Sequence, residues 1–543
     1  MLIVNYFRTF VLSIMAMKKI VFIFLSVFCA NISFAQNFYY VQFKDKNGTE
    51  FSLNKPQKFL SQRAIQRRIS QGIALDSTDL PVSKKYLISL KNYQANILYT
   101  SKWLNGATIF LSDTLRIEEI KNLPFVSFVQ CTKRTVLPQN LPQKIVENSN
   151  NYANSAESIS DHTMLGLDSL HYAGFSGKNI LIAVIDAGFP NVDVMAAFNY
   201  IRPRILDTYN FVENQANVYT LNSHGTMVLS VIGAVLPDFI GAAPDASFVL
   251  YISEDAATET LLETDNWVAA AERADSIGAD IITTSLGYSV FDDENDNFTY
   301  SDMDGKTTRI SRASTIAARK GILLFNSAGN EGNKSWKYIT APADANSIIT
   351  VGSVDSLENH SDFSSMGPTF DGRIKPTICT QGTQTALVYP DADDVIIKGN
   401  GTSFASPLAA GMAASIWSAF PYLTNFELMN KIIESANNYE NPDTLCGYGI
   451  PNVWKIYNSM KGKSDFSADN KIYFAQIKYN ILFIQSSQSN DYQFYFCDVL
   501  GRKIISGSGN GSSSFYLPTL SKGIYILKIF DKTIKQQTIK LIF

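Results

Sequence analysis

The sequence predicts an α/β protein built on a parallel sheet, with a smaller α+β domain before it and an all-β domain after it. Three observations lead to this prediction. Apolar runs that suit buried strands alternate with helical segments over residues 159–460, which is typical of a parallel sheet. Residues 37–135 mix strand and helix patterns. Residues 466–543 carry short strands and glycine turns without a helical period, as β-sandwiches do.

Length and composition indicate a globular chain of several domains. The 543 residues are 46% apolar and 17% charged, and the net charge is −3. At roughly 100–200 residues per domain, this length predicts three or four domains. The charge balance gives no reason to expect a nucleic-acid partner. Five cysteines without CxxC spacing predict neither a zinc site nor a disulfide framework, and four histidines without an HExxH pattern argue against a zinc peptidase.

The N-terminus predicts export from the cytoplasm. Lys18 and Lys19 precede an uncharged, largely apolar run, Ile20–Phe34, and small residues follow where a signal peptidase cuts. We therefore predict a signal peptide over residues 17–35 and a secreted or cell-surface protein that passes through the periplasm. The run is short for a membrane span of about 20 residues, so an uncleaved anchor is the weaker alternative.

The flanking segments have their own element patterns. In residues 37–135 we predict a strand at Phe38–Phe43 and a basic helix at Lys58–Gln71, with nothing catalytic. Residues 136–158 are rich in Asn, Gln, Ser and Pro. That composition predicts an exposed linker, which is where proteases cut.

Strands and helices alternate through residues 159–460. Continuous apolar runs predict strands buried on both faces. The predicted strands are Ile180–Ile185, Ile281–Leu286, Gly321–Asn326 and Ser347–Val354, and the predicted helices are His224–Val235, Arg309–Lys320 and Ser403–Phe420.

Polar residues stand where two of these elements end or begin. Asp186 ends a buried strand, and functional groups gather at the carboxyl ends of strands in an open α/β sheet. His224 opens a helix after Asn222 and Ser223, where the helix N-terminus lowers imidazole basicity. Taken alone, Asp186 also suits an ordinary turn, and His224 an ordinary polar helix start.

Two further residues suit the chemistry of acyl transfer. Ser403 follows a glycine turn at the start of a buried helix, where backbone N–H groups can face an oxyanion. Asn330 ends a strand within Asn326–Gly332, and its amide is a suitable oxyanion donor. Taken alone, Ser403 also suits a helix N-cap, and Asn330 a polar turn.

Together these segments resemble the subtilases, the subtilisin-like serine proteases. Ala183–Gly188 is similar to their Asp motif, His224–Val228 to their His-Gly-Thr motif, and Gly401–Pro407 to their Gly-Thr-Ser-x-Ala-x-Pro motif. The order Asp, His, Ser along the chain is also that of subtilisin. Other similar segments are Gly241–Ala246, Ser285–Gly287 and Ser361–Pro368.

The resemblance implies a subtilisin-like sheet flanked by helices and a serine endopeptidase. Asp186, His224 and Ser403 would be its catalytic triad, and Asn330 its oxyanion donor. The residues implied to bind substrate are Ser285, Leu286 and Gly287 along the peptide backbone, and Ala328 and Gly329 in the first specificity pocket.

Two residues, each next to a predicted site residue in the sequence, affect the expected geometry and specificity of the site. Ala187 stands where the family usually has Ser or Thr, whose hydroxyl helps to hold the Asp carboxylate. Glu331 is expected near the rim of the specificity pocket, where it would favour a basic substrate residue. The residue preference of that pocket is left open.

This chemistry requires no cofactor and no catalytic metal. A structural calcium ion is one interpretation of the acidic loop Asp292–Asp304, because subtilases often bind calcium. The loop lacks the spacing of an EF-hand, so a solvated acidic loop is the favoured interpretation.

The resemblance also gives the flanking domains roles. Residues 37–135 occupy the place of an inhibitory propeptide; the alternative is an accessory binding domain. Residues 466–543 resemble the sorting domain of the type IX secretion pathway of Bacteroidetes-type bacteria, in Cys497–Lys503, Leu520–Ile529 and Thr538–Lys540. The alternative there is a β-sandwich that binds substrate or carbohydrate.

The expected partners are therefore protein or peptide substrates, the chain's own propeptide and the type IX secretion machinery. The alternative function is a catalytically weak binding protein that uses the subtilase fold at the cell surface. The presence of every triad and oxyanion residue favours the active endopeptidase.

Overall fold

The computed structural model of the chain comprises an N-terminal domain (residues 37–134), a central domain (residues 158–461) and a C-terminal domain (residues 473–543). The residues that it describes are 37–134, 151–152, 158–390, 394–461, 473–478, 481–486, 491–510, 513–532 and 536–543. The predicted signal peptide, and all but three residues of the predicted linker, lie outside these ranges.

The N-terminal domain is a four-stranded antiparallel sheet with three short helices. Its strands lie in the order β2-β3-β1-β4. The bounds are β1 Asn37–Phe43, α1 Gln62–Ser70, α2 Lys84–Asn92, β2 Asn96–Ser101, β3 Gly106–Leu111, α3 Ile117–Lys121 and β4 Val126–Arg134. Helix α1 begins later than predicted because Ser61 caps it, accepting the N–H of Ala64, and Pro56–Lys58 forms a separate 3-10 turn. Val41, Leu90 and Ile109 are buried in the core of this domain.

The central domain is built on a seven-stranded sheet with the order β14-β13-β12-β11-β6-β10-β7. Each pair of neighbouring strands in this sheet is parallel. The strands of the domain, with the short β5 before it, are β5 Asn151–Tyr152, β6 Leu181–Asp186, β7 Ile205–Asn210, β8 Val235–Leu236, β9 Phe239–Ile240, β10 Ser247–Ile252, β11 Ile281–Thr284, β12 Leu323–Ser327, β13 Ile349–Val354, β14 Ile378–Gln381, β15 Thr385–Val388 and β16 Ile396–Gly399.

Helices cover both faces of this sheet. They are α4 Ser158–Met164, α5 Leu167–Tyr172, α6 His224–Gly233, α7 Leu261–Ile277, α8 Arg309–Arg319, α9 Thr402–Ala419, α10 Asn425–Ser435 and α11 Val453–Met460. Within the described ranges, none of the helices has both the length and the apolarity that a membrane span requires.

Side-chain alternation along β6 divides the core into two layers. Ile182 and Val184 pack with residues of α6 and α9, whereas Leu181, Ala183 and Ile185 pack with residues of α7 and α8. Because both faces of the strand are covered, the run has no polar position before Asp186. The predicted α/β fold with a parallel sheet flanked by helices is confirmed.

A disulfide joins Cys379 on β14 to Cys446, with the two Cα atoms 5.2 Å apart. Cysteine spacing did not predict it, because 67 residues separate the two positions. The fold brings them together: the N–H of Cys379 donates to the carbonyl of Gly449, and the N–H of Tyr448 donates to the carbonyl of Thr377. Among the described cysteines, Cys131 and Cys497 carry free thiols.

The C-terminal domain consists of two antiparallel sheets, with the orders β17-β18-β21 and β20-β19-β22-β23. Tyr473, Leu482, Phe494 and Leu527 are buried in its core. The strands are β17 Tyr473–Lys478, β18 Ile481–Ser486, β19 Asp491–Asp498, β20 Lys503–Asn510, β21 Ser513–Tyr516, β22 Ile524–Asp531 and β23 Gln537–Ile542.

Candidate active site

Asp186 and His224 meet at the carboxyl end of the central sheet. Asp186 is the last residue of β6 and is fully buried, and His224 is the first residue of α6. The Nδ1 atom of His224 lies 2.8 Å from Oδ1 of Asp186. The backbone N–H of His224 donates to the side chain of Asn222, which fixes the start of the helix. The carboxylate is therefore placed to hold the imidazole in one orientation.

A glycine allows the helix to approach the strand this closely. A side chain at Gly225 would stand 2.4 Å from the carbonyl oxygen of Gly188 and 3.0 Å from the Cβ atom of Asp186. Any larger residue would push the first turn of α6, and with it His224, away from β6. The glycine of the His-Gly-Thr motif is thus explained by packing.

The carboxylate of Asp186 is held by one donor of its own loop. Its Oδ1 atom also accepts the backbone N–H of Ala187, at 2.7 Å. Its Oδ2 atom is buried and has no hydrogen-bond partner among the described residues. The alanine at position 187 therefore supplies no hydroxyl, although the buried Oδ2 atom of Asp186 could still accept a hydrogen bond.

Ser403 lies in the first turn of helix α9. Gly401, two residues before Ser403, is the N-cap residue of this helix. Its φ of 149° is a value that favours glycine. The hydroxyl of Ser285 donates to the backbone carbonyl of Ser403, at 2.8 Å. This contact ties the segment after β11 to the start of α9.

The side chain of Asn330 is anchored to the same helix start. Its Oδ1 atom accepts the backbone N–H of Thr402 at 3.0 Å and the Thr402 hydroxyl at 2.9 Å. A side chain at Gly401 would stand 3.6 Å from Nδ2 of Asn330 and 3.6 Å from the backbone nitrogen of Ser403. The side-chain nitrogen of Asn330 and the backbone nitrogen of Ser403 therefore border the same space beside Gly401.

One cleft of about 340 Å³ brings the predicted residues together. It is lined by His224, Ser403 and Asn330, and by four of the residues expected to bind substrate: Ser285, Leu286, Gly287 and Gly329. Asp186 lies behind His224 rather than in the wall. The geometry therefore places most of the predicted site around a single cavity.

Ala328 is the exception among the predicted substrate-binding residues. It is fully buried and packs with Ile339 and Ala343, so its side chain does not line the cleft. The neighbouring Gly329 does line it. The role of Ala328 in the first specificity pocket, which its backbone beside Gly329 could serve, stays a prediction.

Thr340, which is not among the predicted site residues, also lines the cleft. Thr340 is only 4% exposed, and its hydroxyl has no hydrogen-bond partner among the described residues. A side chain at Gly287 would overlap this hydroxyl, and one at Gly329 would stand 3.1 Å from it. No local motif marks Thr340, because only the folding of the chain brings it between the two glycines.

Acidic side chains give this cleft its charge. Glu254 and Glu259 line it, and together with Glu263 they bring carboxylate oxygens within 4.8 Å of one another. Glu331 also lines the cleft, but its carboxylate is paired with Lys334 at 3.0 Å. The expected basic preference of Glu331 is therefore weakened by a neighbour that sequence reasoning did not consider.

The acidic loop Asp292–Asp304 uses its carboxylates within the protein. Asp293 and Asp296 pair with Arg134 of the N-terminal domain, at 2.5 and 3.2 Å. Asp302 accepts from the N–H and the hydroxyl of Thr299. In the ranges that the structure describes, no three carboxylate, imidazole or thiol groups of this loop converge on one point. Calcium binding stays a prediction.

The fold and the site define a class of protein. An Asp–His pair, a serine at the start of a buried helix and an anchored amide surround one cleft of a parallel α/β sheet. These are the features of a serine hydrolase of subtilisin-like architecture.

Comparison with known protein families gives the same class. The model of the subtilase family matches residues 177–449, and the chain therefore belongs to this family of serine peptidases. A second family model, the peptidase S8 propeptide domain of Bacteroidota, matches residues 38–149. The N-terminal domain is thus a propeptide domain, as predicted.

Individual subtilisins are similar to this chain over most of the region that matches the subtilase family. The chain is 30% identical over 300 residues to a subtilisin of Bacillus pumilus, which covers 52% of this chain and 93% of that protein. It is 29% identical over 386 residues to subtilisin NAT of Bacillus subtilis subsp. natto, covering 68% of this chain and 84% of that protein. Subtilisin DY of Bacillus licheniformis is 27% identical over 294 residues, or 53% of this chain and 95% of that protein.

A solved structure shares the fold. The epidermin leader peptide processing serine protease EpiP of Staphylococcus aureus superposes with a TM-score of 0.54 at 18% identity. The match covers 79% of this chain and 100% of that one. At this identity the likeness is one of architecture.

Proposed function

We propose that the chain is a secreted endopeptidase that hydrolyses peptide bonds through an acyl-enzyme on Ser403. The observation that carries the proposal is the 2.8 Å contact between Asp186 and His224 at the wall of the cleft that Ser403 and Asn330 also line. These are the residue types that acyl transfer needs, in one place.

In the first step, the Ser403 hydroxyl attacks the carbonyl carbon of the scissile peptide bond. A serine hydroxyl is a weak nucleophile at neutral pH, so His224 takes its proton as the new C–O bond forms. Asp186, held against Nδ1, keeps the ring in the required tautomer and stabilises the imidazolium. His224 then gives the proton to the leaving amine, and an ester of Ser403 remains.

In the second step, water takes the place of the amine. His224 accepts a proton from the water, which attacks the ester carbon and releases the carboxylic acid, and Ser403 regains its proton. In both steps the carbonyl oxygen becomes negative. The Asn330 amide and the Ser403 backbone N–H, which flank the space beside Gly401, would donate to it there.

The substrate would be read mainly through its backbone. The segment Ser285–Gly287 continues the line of β11 into the cleft, where it can pair with an extended peptide. Such pairing accepts many sequences, so the class of substrate is protein or extended peptide.

The flanking domains would control where and when this activity appears. The propeptide domain would block the cleft until the linker after residue 135 is cut. The C-terminal domain, predicted from the sequence as residues 466–543, would be recognised by the type IX secretion machinery as an export signal. Its two antiparallel sheets are consistent with a domain that folds separately.

Labelling by an active-site serine reagent, such as a fluorophosphonate, tests the proposal. The processed parent protein should be labelled and should cleave casein. Ser403→Ala should lose both properties and remain folded, because the oxygen removed is the nucleophile. Peptide hydrolysis comparable to the parent would remove Ser403 from the mechanism.

Ser418→Ala is the matched control. Ser418 belongs to the same helix α9, and its hydroxyl donates to the carbonyl of Ser415, away from the cleft. We expect normal labelling and turnover from this variant. Absence of labelling in the parent protein as well would favour the alternative of a binding protein on the subtilase fold.

A further inference from the structure

The cleft carries an excess of negative charge. Among its lining residues in the described part of the chain, Glu254, Glu259 and Glu331 carry carboxylates, and Lys334 is the single lysine or arginine. The charge of Lys334 is balanced by Glu331, at 3.0 Å. At neutral pH, Glu254 and Glu259 therefore give the cleft wall two negative charges that no lining cation offsets.

A third carboxylate, that of Glu263, joins these two. Carboxylate oxygens of Glu254, Glu259 and Glu263 lie within 4.8 Å of one another, and we call these three residues the acidic wall. Glu254 is 5% exposed and Glu263 is 1% exposed, whereas Glu259 is partly exposed. Like charges at this distance, two of them shielded from water, repel one another strongly. A cation placed among them lowers that repulsion.

Local hydrogen bonds hold two members of the acidic wall in place. The hydroxyl of Tyr288 donates to Oε2 of Glu254 at 2.7 Å, and the N–H of Thr260 donates to Oε1 of Glu263 at 2.8 Å. The second contact is part of the capping box at the start of α7, so Glu263 also has a structural role. Carboxylates that are already oriented lose little conformational entropy when a cation binds.

Glu259 lines the cleft from a fixed backbone position. Its N–H donates to the carboxylate of Asp292 at 3.0 Å, and its carbonyl accepts the N–H of Asp292 at 2.9 Å. The negative field of the wall extends to its neighbours: burial, and then the charges of Glu263, Glu259 and Asp186, raise the pKa of Tyr288. The acidic wall is therefore a built part of the cleft and not a mobile surface cluster.

A second feature of the cleft, independent of the acidic wall, also points to a polar ligand. Thr340 lines the cleft and is 4% exposed, and its hydroxyl has no hydrogen-bond partner among the described residues. Gly287 and Gly329 leave room beside this hydroxyl. Buried polar atoms in folded proteins almost always have a partner. A polar group of a bound substrate would supply one, so the cleft suits a substrate side chain with hydrogen-bonding groups.

We propose that the cleft selects peptides with a lysine or arginine side chain close to the scissile bond, and that Glu254 and Glu259 determine this specificity. The ammonium or guanidinium group would lie against the acidic wall, where its charge offsets the repulsion among the carboxylates. The inference rests on the proposed function, in which the cleft binds a peptide for hydrolysis at Ser403. It assigns a basic preference to the acidic wall instead of to Glu331, whose charge Lys334 already balances.

The physical reason for selectivity is charge complementarity. A substrate cation gains from the carboxylates of the wall, although water that reaches the cleft screens part of the attraction. A neutral side chain of the same length gains nothing from these charges. A substrate carboxylate placed against the wall meets like charges and is rejected.

Peptide cleavage by the processed parent protein tests the preference without any variant. Fluorogenic peptides of otherwise constant sequence carry lysine, arginine, glutamine or glutamate at one position in turn, on either side of the scissile bond, and kcat/KM is measured for each. For at least one position, we expect lysine and arginine to exceed glutamine by about tenfold or more, and glutamate to give the lowest value.

Glu259→Gln is the decisive variant, because it keeps the size of a partly exposed side chain and removes its charge. We expect the ratio of kcat/KM between the lysine and glutamine peptides to fall at least about fivefold. Glu254→Gln, which can still accept from Tyr288, should lower the ratio as well. This second variant decides the matter if the first does not fold.

Two controls separate the acidic wall from other charges. Glu434→Gln removes a carboxylate of α10 that is 46% exposed and pairs with Lys431, and the ratio should stay within about twofold of the parent value. The double variant of Glu331→Gln and Lys334→Gln removes the other charged pair of the cleft without altering the net charge. Its ratio should also stay within about twofold of the parent value.

Three results would overturn the proposal. One is equal kcat/KM for the lysine and glutamine peptides at every position. Another is an unchanged ratio in Glu259→Gln and Glu254→Gln, which, together with an equal effect of EGTA on all peptides, would mean that the wall holds a divalent cation instead. The third is a fall in the double variant as large as that in Glu259→Gln, which would return the preference to Glu331.

Failure of the proposed function would give a different result. In that case no peptide would be cleaved at all, whatever its sequence. The preference would then be decided by the dissociation constants of the same peptides, measured by fluorescence anisotropy. The lysine and arginine peptides should bind more tightly than the glutamine peptide, and equal dissociation constants would overturn the inference.

Discussion

The oxygen and the nitrogen of the Asn330 side-chain amide have different roles. Its oxygen is used by the N–H and the hydroxyl of Thr402, so the side chain is fixed at the start of α9. Its nitrogen borders the space beside Gly401, together with the backbone nitrogen of Ser403. A donor held by its own oxygen needs no rearrangement when charge develops on the substrate.

Asn330→Ala should therefore reduce kcat much more than it changes KM. For a donor of this kind in subtilisin, a relative of this chain, the loss in rate is about 10²–10³, and we carry that magnitude over. Steady-state kinetics on a peptide substrate measure the effect. Thr402→Val, which removes one contact to the Asn330 oxygen and keeps the amide, is the control and should lose much less. Equal losses would assign the effect to the helix start instead.

Ala187 leaves a buried carboxylate oxygen, Oδ2 of Asp186, without a hydrogen-bond partner among the described residues. We expect Ala187→Ser to supply a donor and to raise the free energy of unfolding by about 1 kcal/mol. Urea denaturation in the Ser403→Ala background avoids self-digestion. Ala187→Val adds bulk without a donor and should not stabilise the protein. If the Val variant is as stable as the Ser variant, packing and not hydrogen bonding is responsible.

At the scale of elements, the segment before β14 buries a lysine, Lys375, that contacts no carboxylate in the described part of the chain. Lys375 is 4% exposed, and its ammonium donates to the carbonyl of Ile348 and to the hydroxyls of Thr350 and Thr377. Burial, and then the charge of Arg373, lower the pKa of Lys375 to about 7, against an opposite effect of Asp344.

Lys375 should make the stability of the protein depend on pH. Between pH 7 and 10.5 the unfolded chain keeps a proton that the folded protein has lost, so the free energy of unfolding should rise with pH in this window. We expect an increase of about 2 kcal/mol from pH 7 to pH 9 that Lys375→Met removes. Urea denaturation across this range measures it. Lys431→Met is the control, because Lys431 is 41% exposed, and it should not change the slope of the free energy of unfolding against pH. If Lys375→Met shows the same slope as the parent protein, the pH dependence does not come from Lys375.

Elements that follow local rules could be predicted to within a few residues. The predicted helices at Arg309–Lys320 and Ser403–Phe420 correspond to Arg309–Arg319 and Thr402–Ala419. Their caps and apolar patterns are contained in the segments themselves. The motif residues Asp186, His224 and Ser403 could be found for the same reason, because each lies at the end of such an element.

Features that depend on distant parts of the chain could not be predicted in this way. Thr340 enters the cleft only because the chain returns between Gly287 and Gly329. Lys334 neutralises Glu331, and Asp275 collects cations from a different domain. These contacts arise from packing between segments, which no local pattern records.

At the scale of the whole molecule, the C-terminal domain should serve export and not catalysis. Among the residues that the structure describes, none that lines the cleft lies beyond Phe404. Truncation after Lys461 should leave an active enzyme that accumulates in the periplasm, because the predicted signal peptide alone would take the chain across only the inner membrane. Activity and antibody detection in periplasmic and extracellular fractions of a host with a type IX pathway measure this.

A full-length Ser403→Ala chain is the control for export, since it should leave the cell without activity. Normal extracellular activity of the truncated chain would contradict the sorting role. Loss of activity in all fractions would show that the C-terminal domain supports the fold of the enzyme.

The bond between Cys379 and Cys446 closes a ring of chain that contains all of α9, and therefore Ser403. Tyr422, within this ring, is 67% exposed, and exposed turns are where peptidases cut first. A cut there would break the backbone without releasing either piece, because the disulfide would still join the strand β14 to the segment after α10. A peptidase surrounded by copies of itself could thus be nicked and still keep its nucleophile in place.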